Sequence, residues 1–422
     1  MQIDNIEKRQ LNNGVRILTE QVPGVRSVSM GIWVGAGSRH ESEQRAGISH
    51  FIEHMMFKGT ERRSATEIAE ALDSVGGQLN AFTTKEYTCY YTKTLDEHFD
   101  LALDVLSDMF FNSTFAPKAI EKERSVIEEE IKMYEDTPDE LIHDLFVHTA
   151  WPEHPLGRPI LGTAESLSRF QQSDFFAYLK EKYVANKIVI AIAGNLQHED
   201  IQEKVARAFE KVPVYHEEME MAPPEQTRAN VTNLTRDTGQ VQICLGTGGL
   251  SQHDDRLYTA SILNNVLGGG LSSRLVQSIR EERGLAYSVF SYHTAFCDTG
   301  LFTFYAGTSA SKYDEVINLL LREINDILAN GITVKELERA KEQIKGSLLL
   351  GLESVSSRMT RLGRNELCLK RIIPISEIVE RITDVTLDDV KALADDLFMD
   401  KRFALSTIGP IKEPINLQSF LA

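Results

Sequence analysis

His50-Phe51-Ile52-Glu53-His54-Met55-Met56-Phe57-Lys58-Gly59-Thr60 places two imidazoles four residues apart, with a carboxylate directly before the second. On a helix, positions i and i+4 project from one face, so His50 and His54 can grip a single metal ion. Glu53 lies close to that ion without being forced to ligate it, where a general base beside an activated water belongs. Ile48, Phe51, Ile52, Met55 and Met56 supply the apolar surround of such a helix, and Lys58-Gly59-Thr60 supplies its stop.

The H-x-x-E-H order is the inverted form of the H-E-x-x-H zinc-protease signature. A catalytic zinc takes three protein ligands and keeps one position open. Cysteine is a poor source of the third, because Cys89, Cys244, Cys297 and Cys368 are far apart and form no C-x-x-C pair. The acid-rich helical run 121–131 is a better one. Glu123 and Glu130, seven apart, share a face, whereas Glu128 and Glu129 point elsewhere. Spacing alone does not choose among these glutamates.

The chain resembles the pitrilysin-type zinc peptidases, close to the bacterial processing peptidases and the catalytic subunit of mitochondrial processing peptidase. Residues 50–60 and the run Glu123-Arg124-Ser125-Val126-Ile127-Glu128-Glu129-Glu130 carry the likeness, which extends over essentially the whole chain. The resemblance implies Glu130 as third zinc ligand and Glu123 as a supporting acid. It implies Arg280 and Tyr287 as groups reaching the site from a non-zinc half, and Asn80, Ala81, Phe82 and Thr83 as an edge strand that takes the substrate. It further implies a homodimer enclosing a chamber, in which Arg280 and Tyr287 serve the partner's zinc site. A zinc endopeptidase acting on peptides or unfolded segments is then expected. The competing expectation is a non-catalytic scaffold or partner subunit of the same fold, against which stands the presence of every metal and base residue.

A length of 422 residues suggests two domains of about 200 residues each. A net charge of −17 without a basic stripe disfavours nucleic acid. No apolar stretch approaches a membrane span. Residues 1–9 show no apolar secretory core, and the scattered cysteines fit a reducing compartment, so a cytoplasmic location is expected.

Alternating patterns predict strands over 14–19 and 27–34, the Thr, Tyr and Phe content of 79–94 a strand pair, and the apolar run 187–193 a buried strand, with helices over 65–75 and 99–110. Residues 212–228, with Pro213, Pro223 and Pro224, read as a linker. The pattern then restarts, with strands over 241–246 and 301–306 and helices over 257–267 and 313–329. Residues 333–344 echo 116–127. The expectation is an α+β protein of two similar domains from a duplication, each a mainly antiparallel sheet with helices packed on it: a zinc-binding domain 1–212, a linker 213–228, and a related domain 229–422. The counterpart of the zinc motif, 263–270, offers no ligand side chain except Asn. Its Gly268-Gly269-Gly270 lacks the spacing of a phosphate loop.

Overall fold

The computed structural model describes residues 5–214, 222–225, 227, 229–400 and 402–412. Of the expected linker, residues 215–221, 226 and 228 lie outside the described residues. The chain forms two compact units, each assembled from three segments. The first comprises Met1–Lys132, Arg158–Glu220 and Leu350–Pro374; the second comprises Met133–Gly157, Met221–Leu349 and Ile375–Ala422.

The first unit holds a six-stranded sheet built from β1 (Ile6–Gln10), β2 (Arg16–Gln21), β3 (Ser27–Val34), β4 (Gln78–Thr83), β5 (Thr88–Leu95) and β6 (Ile188–Gly194), in the order β1-β2-β6-β3-β5-β4. Only β2 and β6 run parallel. Every residue of β6 is buried, so both faces of the sheet need a cover. One face carries the core of Ile48, Phe51, Ile52, Met55, Ile190 and Ile192. On the other, Trp33 and Val189 meet Met359 and Leu362 of helix Val355–Leu369.

The second unit repeats the plan. Its strands β7 (Val231–Thr235), β8 (Val241–Gly249), β9 (Ala286–Ala295), β10 (Gly300–Thr308) and β11 (Ala404–Gly409) are ordered β7-β11-β8-β10-β9. Again one pair, β7 with β11, is parallel and the others are antiparallel. One face packs a core of Ile243, Leu263, Phe302 and Phe304, and the other receives Ile142, Phe146 and Ala150 of helix Pro138–Ala150. The fold is therefore α+β with two similar, mainly antiparallel sheets, as expected.

The compact units are not the sequential halves 1–212 and 229–422. Helix Pro138–Ala150 lies in the first half of the sequence but buries its apolar face in the second unit. Helix Val355–Leu369 does the converse. Each completes the two-sided burial that a fully apolar central strand demands. Among the described residues no helix is long and apolar enough to cross a membrane.

Candidate metal centre

The His50–His54 segment is helical over Ile48–Met56. Its start has no side-chain cap of its own. Gly47 sits there at φ 90°, a conformation suited to glycine, and an added Cβ would lie 2.7 Å from the Leu161 carbonyl oxygen. Glu41 takes over the capping. Its Oε2 accepts the Gly47 N–H at 2.7 Å and its Oε1 the Ser49 N–H at 2.8 Å. Burial pushes the Glu41 carboxyl up to about 7, against the opposing pull of the Ser49 and Gly47 bonds. Sequence reasoning missed this residue, since an acid seven positions before the helix matches no local capping pattern.

Ile48, Phe51, Ile52 and Met55 anchor the helix in the core, which leaves His50 and His54 facing helix Pro117–Glu135. His50 Nε2 and His54 Nε2 lie 3.8 and 3.6 Å from Glu130 Oε2. Ligands about 2.05 Å from a tetrahedral zinc are about 3.4 Å from each other, so the three donors fit one zinc ion. Burial, with His54 adding to it, pushes the His50 imidazole down to about 3, which keeps it neutral with a lone pair to donate.

The geometry gives the glutamates different surroundings. Glu123, 3% exposed, accepts His54 Nδ1–H at 2.9 Å through Oε1, and Lys58 Nζ lies 2.9 Å from its Oε2. Burial alone would raise Glu123, but the His54 and Lys58 hydrogen bonds outweigh it and hold the carboxyl below its ordinary value. A carboxylate only accepts, so the proton sits on His54 Nδ1 and Nε2 is left for a metal. Glu129 is exposed and bonds Lys132. Lys58, expected only as part of a helix stop, is thus a member of the site.

Glu53 stands on the same helix. Thr83 Oγ1 donates to its Oε2 at 2.6 Å. Burial raises the Glu53 carboxyl, and Thr83 and His54 partly oppose it.

Asn80, Ala81, Phe82 and Thr83 fall on β4, which ends the sheet and pairs only with β5 among the described residues. Leu79 and Ala81 pack on the core that holds the histidine helix, while Phe82 faces the opposite layer. Arg280 and Tyr287 belong to the second unit and come together there, the guanidinium 5.4 Å from the ring centroid and the Tyr287 side chain 81% exposed. Gly268, first of the three glycines, closes helix Leu257–Leu267 against β9. A Cβ there would meet the Ser291 nitrogen at 2.2 Å. Close approach, not phosphate binding, accounts for it.

Residues 16–164 match the family described as insulinase (peptidase family M16), and residues 169–344 match the peptidase M16 inactive domain. A protein of Bacillus subtilis (strain 168) named an uncharacterized zinc protease is 46% identical over 405 residues, spanning 96% of this chain and 98% of that protein. A second so named, from Streptomyces coelicolor, is 41% identical over 418 residues, 97% of this chain and 91% of that one. Among solved structures, a peptidase M16 inactive domain protein from Pseudomonas fluorescens is similar with TM-score 0.91 at 20% identity, covering 98% of this chain and all (100%) of that chain. A protease from Helicobacter pylori matches with TM-score 0.90 at 21% identity over 97% of this chain and 100% of its own.

Proposed function

Because this chain belongs to peptidase family M16, we propose that it is a zinc-dependent endopeptidase that hydrolyses peptides or unfolded segments held in an extended form. One observation carries the proposal. Three donor atoms, His50 Nε2, His54 Nε2 and Glu130 Oε2, converge at zinc-ligand spacing beside the tethered carboxylate of Glu53.

We assign one zinc per chain to those donors. When bound, zinc supplies Lewis-acid polarisation of the scissile carbonyl and makes water a stronger acid. Glu53 takes the proton of the attacking water and passes it to the leaving amine. A carboxyl raised by burial suits both transfers. Glu123 holds His54 in the tautomer that leaves Nε2 free. The open edge of β4 offers Asn80 to Thr83 as a template for an added strand. Among the described residues the second unit shows no equivalent donor set. Helix Leu257–Leu267 carries Asn264 and Asn265 among buried apolar residues, so catalysis is assigned to the first unit alone.

We extend the proposal to a cytoplasmic homodimer that encloses a chamber, with Arg280 and Tyr287 stabilising the oxyanion at the partner's zinc site. The exposed Tyr287 ring under Arg280 supports this, and the four free cysteines suit a reducing compartment. A fully active monomer in the ultracentrifuge would refute the arrangement in trans.

The test of the chemistry is Glu53→Gln. It should keep zinc and lose cleavage of a peptide library mapped by mass spectrometry. Cleavage at the wild-type rate by a zinc-loaded E53Q sinks the base assignment. Zinc without any cleavage in the wild type favours a scaffold.

A further inference from the structure

The hairpin β4–β5 does two things at one residue. The Thr84 N–H donates to the Tyr87 carbonyl oxygen at 2.8 Å, closing the turn, and the register continues without a shift as Thr83↔Thr88, Phe82↔Cys89 and Ala81↔Tyr90. Main-chain groups alternate along a strand. The Thr84 N–H and the main-chain groups of Phe82 and Asn80 therefore turn toward β5, and those of Thr83 and Ala81 turn toward the open edge. The Ala81 N–H confirms the parity, since it is bonded to the Asn80 side chain at 2.8 Å and not to β5. Side chains alternate too, so Thr83 shares its face with Leu79 and Ala81, the face toward the histidine helix.

The proton on Thr83 is committed. Thr88 Oγ1 lies 3.5 Å away, but it spends its own proton on the Ala36 carbonyl oxygen at 2.9 Å. The Thr83 hydroxyl points at Glu53 Oε2 at 2.6 Å, a charge-assisted bond. The other oxygen of Glu53 has no hydrogen-bond partner among the described residues. The tether is rigid behind Thr83 as well. Thr84 Oγ1 accepts the Glu86 and Tyr87 N–H groups and locks the turn, and the Tyr90 and Tyr183 hydroxyls hydrogen-bond each other at 2.8 Å below it.

We infer that Thr83 is a positioning residue for the base: its hydroxyl pins one oxygen of Glu53, and its main chain lies on the edge where an extended peptide would pair. The base is then held in register with the strand that presents the scissile bond. A Glu on a flexible side chain would otherwise sample several rotamers, and misplacement by about 1 Å costs about 100-fold in rate. This inference rests on the peptidase proposal for its kinetic consequence, though not for the tether itself.

The experiment compares Thr83→Val, which keeps the branched shape and removes the donor, with Thr83→Ser, which keeps the donor. Zinc content and melting temperature verify that each variant is folded and loaded. With an internally quenched fluorogenic peptide, T83V should lose about 10- to 100-fold in kcat with KM within about twofold of wild type. T83S should recover most of the loss. In crystals of the zinc-loaded proteins, Glu53 should leave its wild-type rotamer in T83V and retain it in T83S. An unchanged kcat in T83V, a loss confined to KM, or T83S as impaired as T83V overturns the role. If the wild type holds zinc and cuts nothing, the peptidase proposal fails. The crystals then decide the tether alone, and an unmoved Glu53 in T83V overturns it.

Discussion

Replacing Glu123 by Gln should strip zinc affinity from a centre whose three ligands are untouched. Glu123 is buried and serves two donors, His54 Nδ1–H on one oxygen and Lys58 Nζ on the other, each at 2.9 Å. A glutamine of the same shape has one oxygen and one NH2 group, so one contact becomes donor against donor. If the oxygen turns to Lys58, His54 loses the acceptor that fixes its tautomer and ring plane. If it turns to His54, the ammonium is left without a counter-charge beside the metal. Loss of such a supporting carboxylate weakens metal binding about 10- to 100-fold, or about 1.4–2.7 kcal/mol. The burial of Glu123 and the double conflict place E123Q toward the upper end. Competition with a fluorescent zinc chelator at pH 7.5 measures it, and melting of the zinc-free proteins separates metal loss from unfolding. A zinc affinity for E123Q within about threefold of wild type would refute the reasoning, because it would mean that His54 needs no partner to present Nε2.

Exchange of neighbouring acids tests the ligand assignment: Glu130→Gln should abolish stoichiometric zinc while Glu129→Gln, which loses only an exposed contact to Lys132, should not, and equal loss in both by metal analysis would undo it. Gly363→Ala should destabilise the first unit by about 1–3 kcal/mol in urea titration, because the new Cβ would stand 2.2 Å from Nε1 of the fully buried Trp33; an unchanged midpoint would show that the ring can retreat. Glu41 makes stability pH-dependent. Its native value of about 7 lies above the ordinary 4.5, so its stabilising contribution is complete below pH 4.5 and is lost as pH rises through 7. Across that window zinc-free wild type should lose about 3 kcal/mol relative to Glu41→Gln, and parallel pH curves for the two proteins would contradict the burial argument.

What the sequence made legible was whatever is written locally. The i, i+4 histidines, helix Leu257–Leu267 and strand Ser27–Val34 appear where periodicity placed them. The histidine helix needed only its own apolar stripe to be recognised. Its capping acid did not show, because Glu41 reaches the helix start through space and not through a local spacing. The compact units were hidden for a related reason. Complete burial of β6 says that a layer covers each face but not which helix supplies it, and helices Pro138–Ala150 and Val355–Leu369 each cross to the unit formed mainly by the other half of the chain. Periodicity reports which face of an element is apolar; it carries no address for the surface that face will meet.

The same limit explains the glutamates, and shows how it is overcome. Helix phase puts Glu123 and Glu130 on one face and cannot rank them. What separates them is a single imidazole: Glu123 meets His54 at Nδ1, and Glu130 lies before Nε2 of both His54 and His50. A two-turn spacing on one helix is thus matched to the two ends of one ring on another. A one-residue slip of helix Pro117–Glu135 would turn each carboxylate about 100° around the helix axis and disrupt the tautomer and the proposed third ligand together. The metal centre therefore depends on packing register more than on any one donor. Ile120 and Ile127, buried in the core on that helix, set the register, and the acids depend on them.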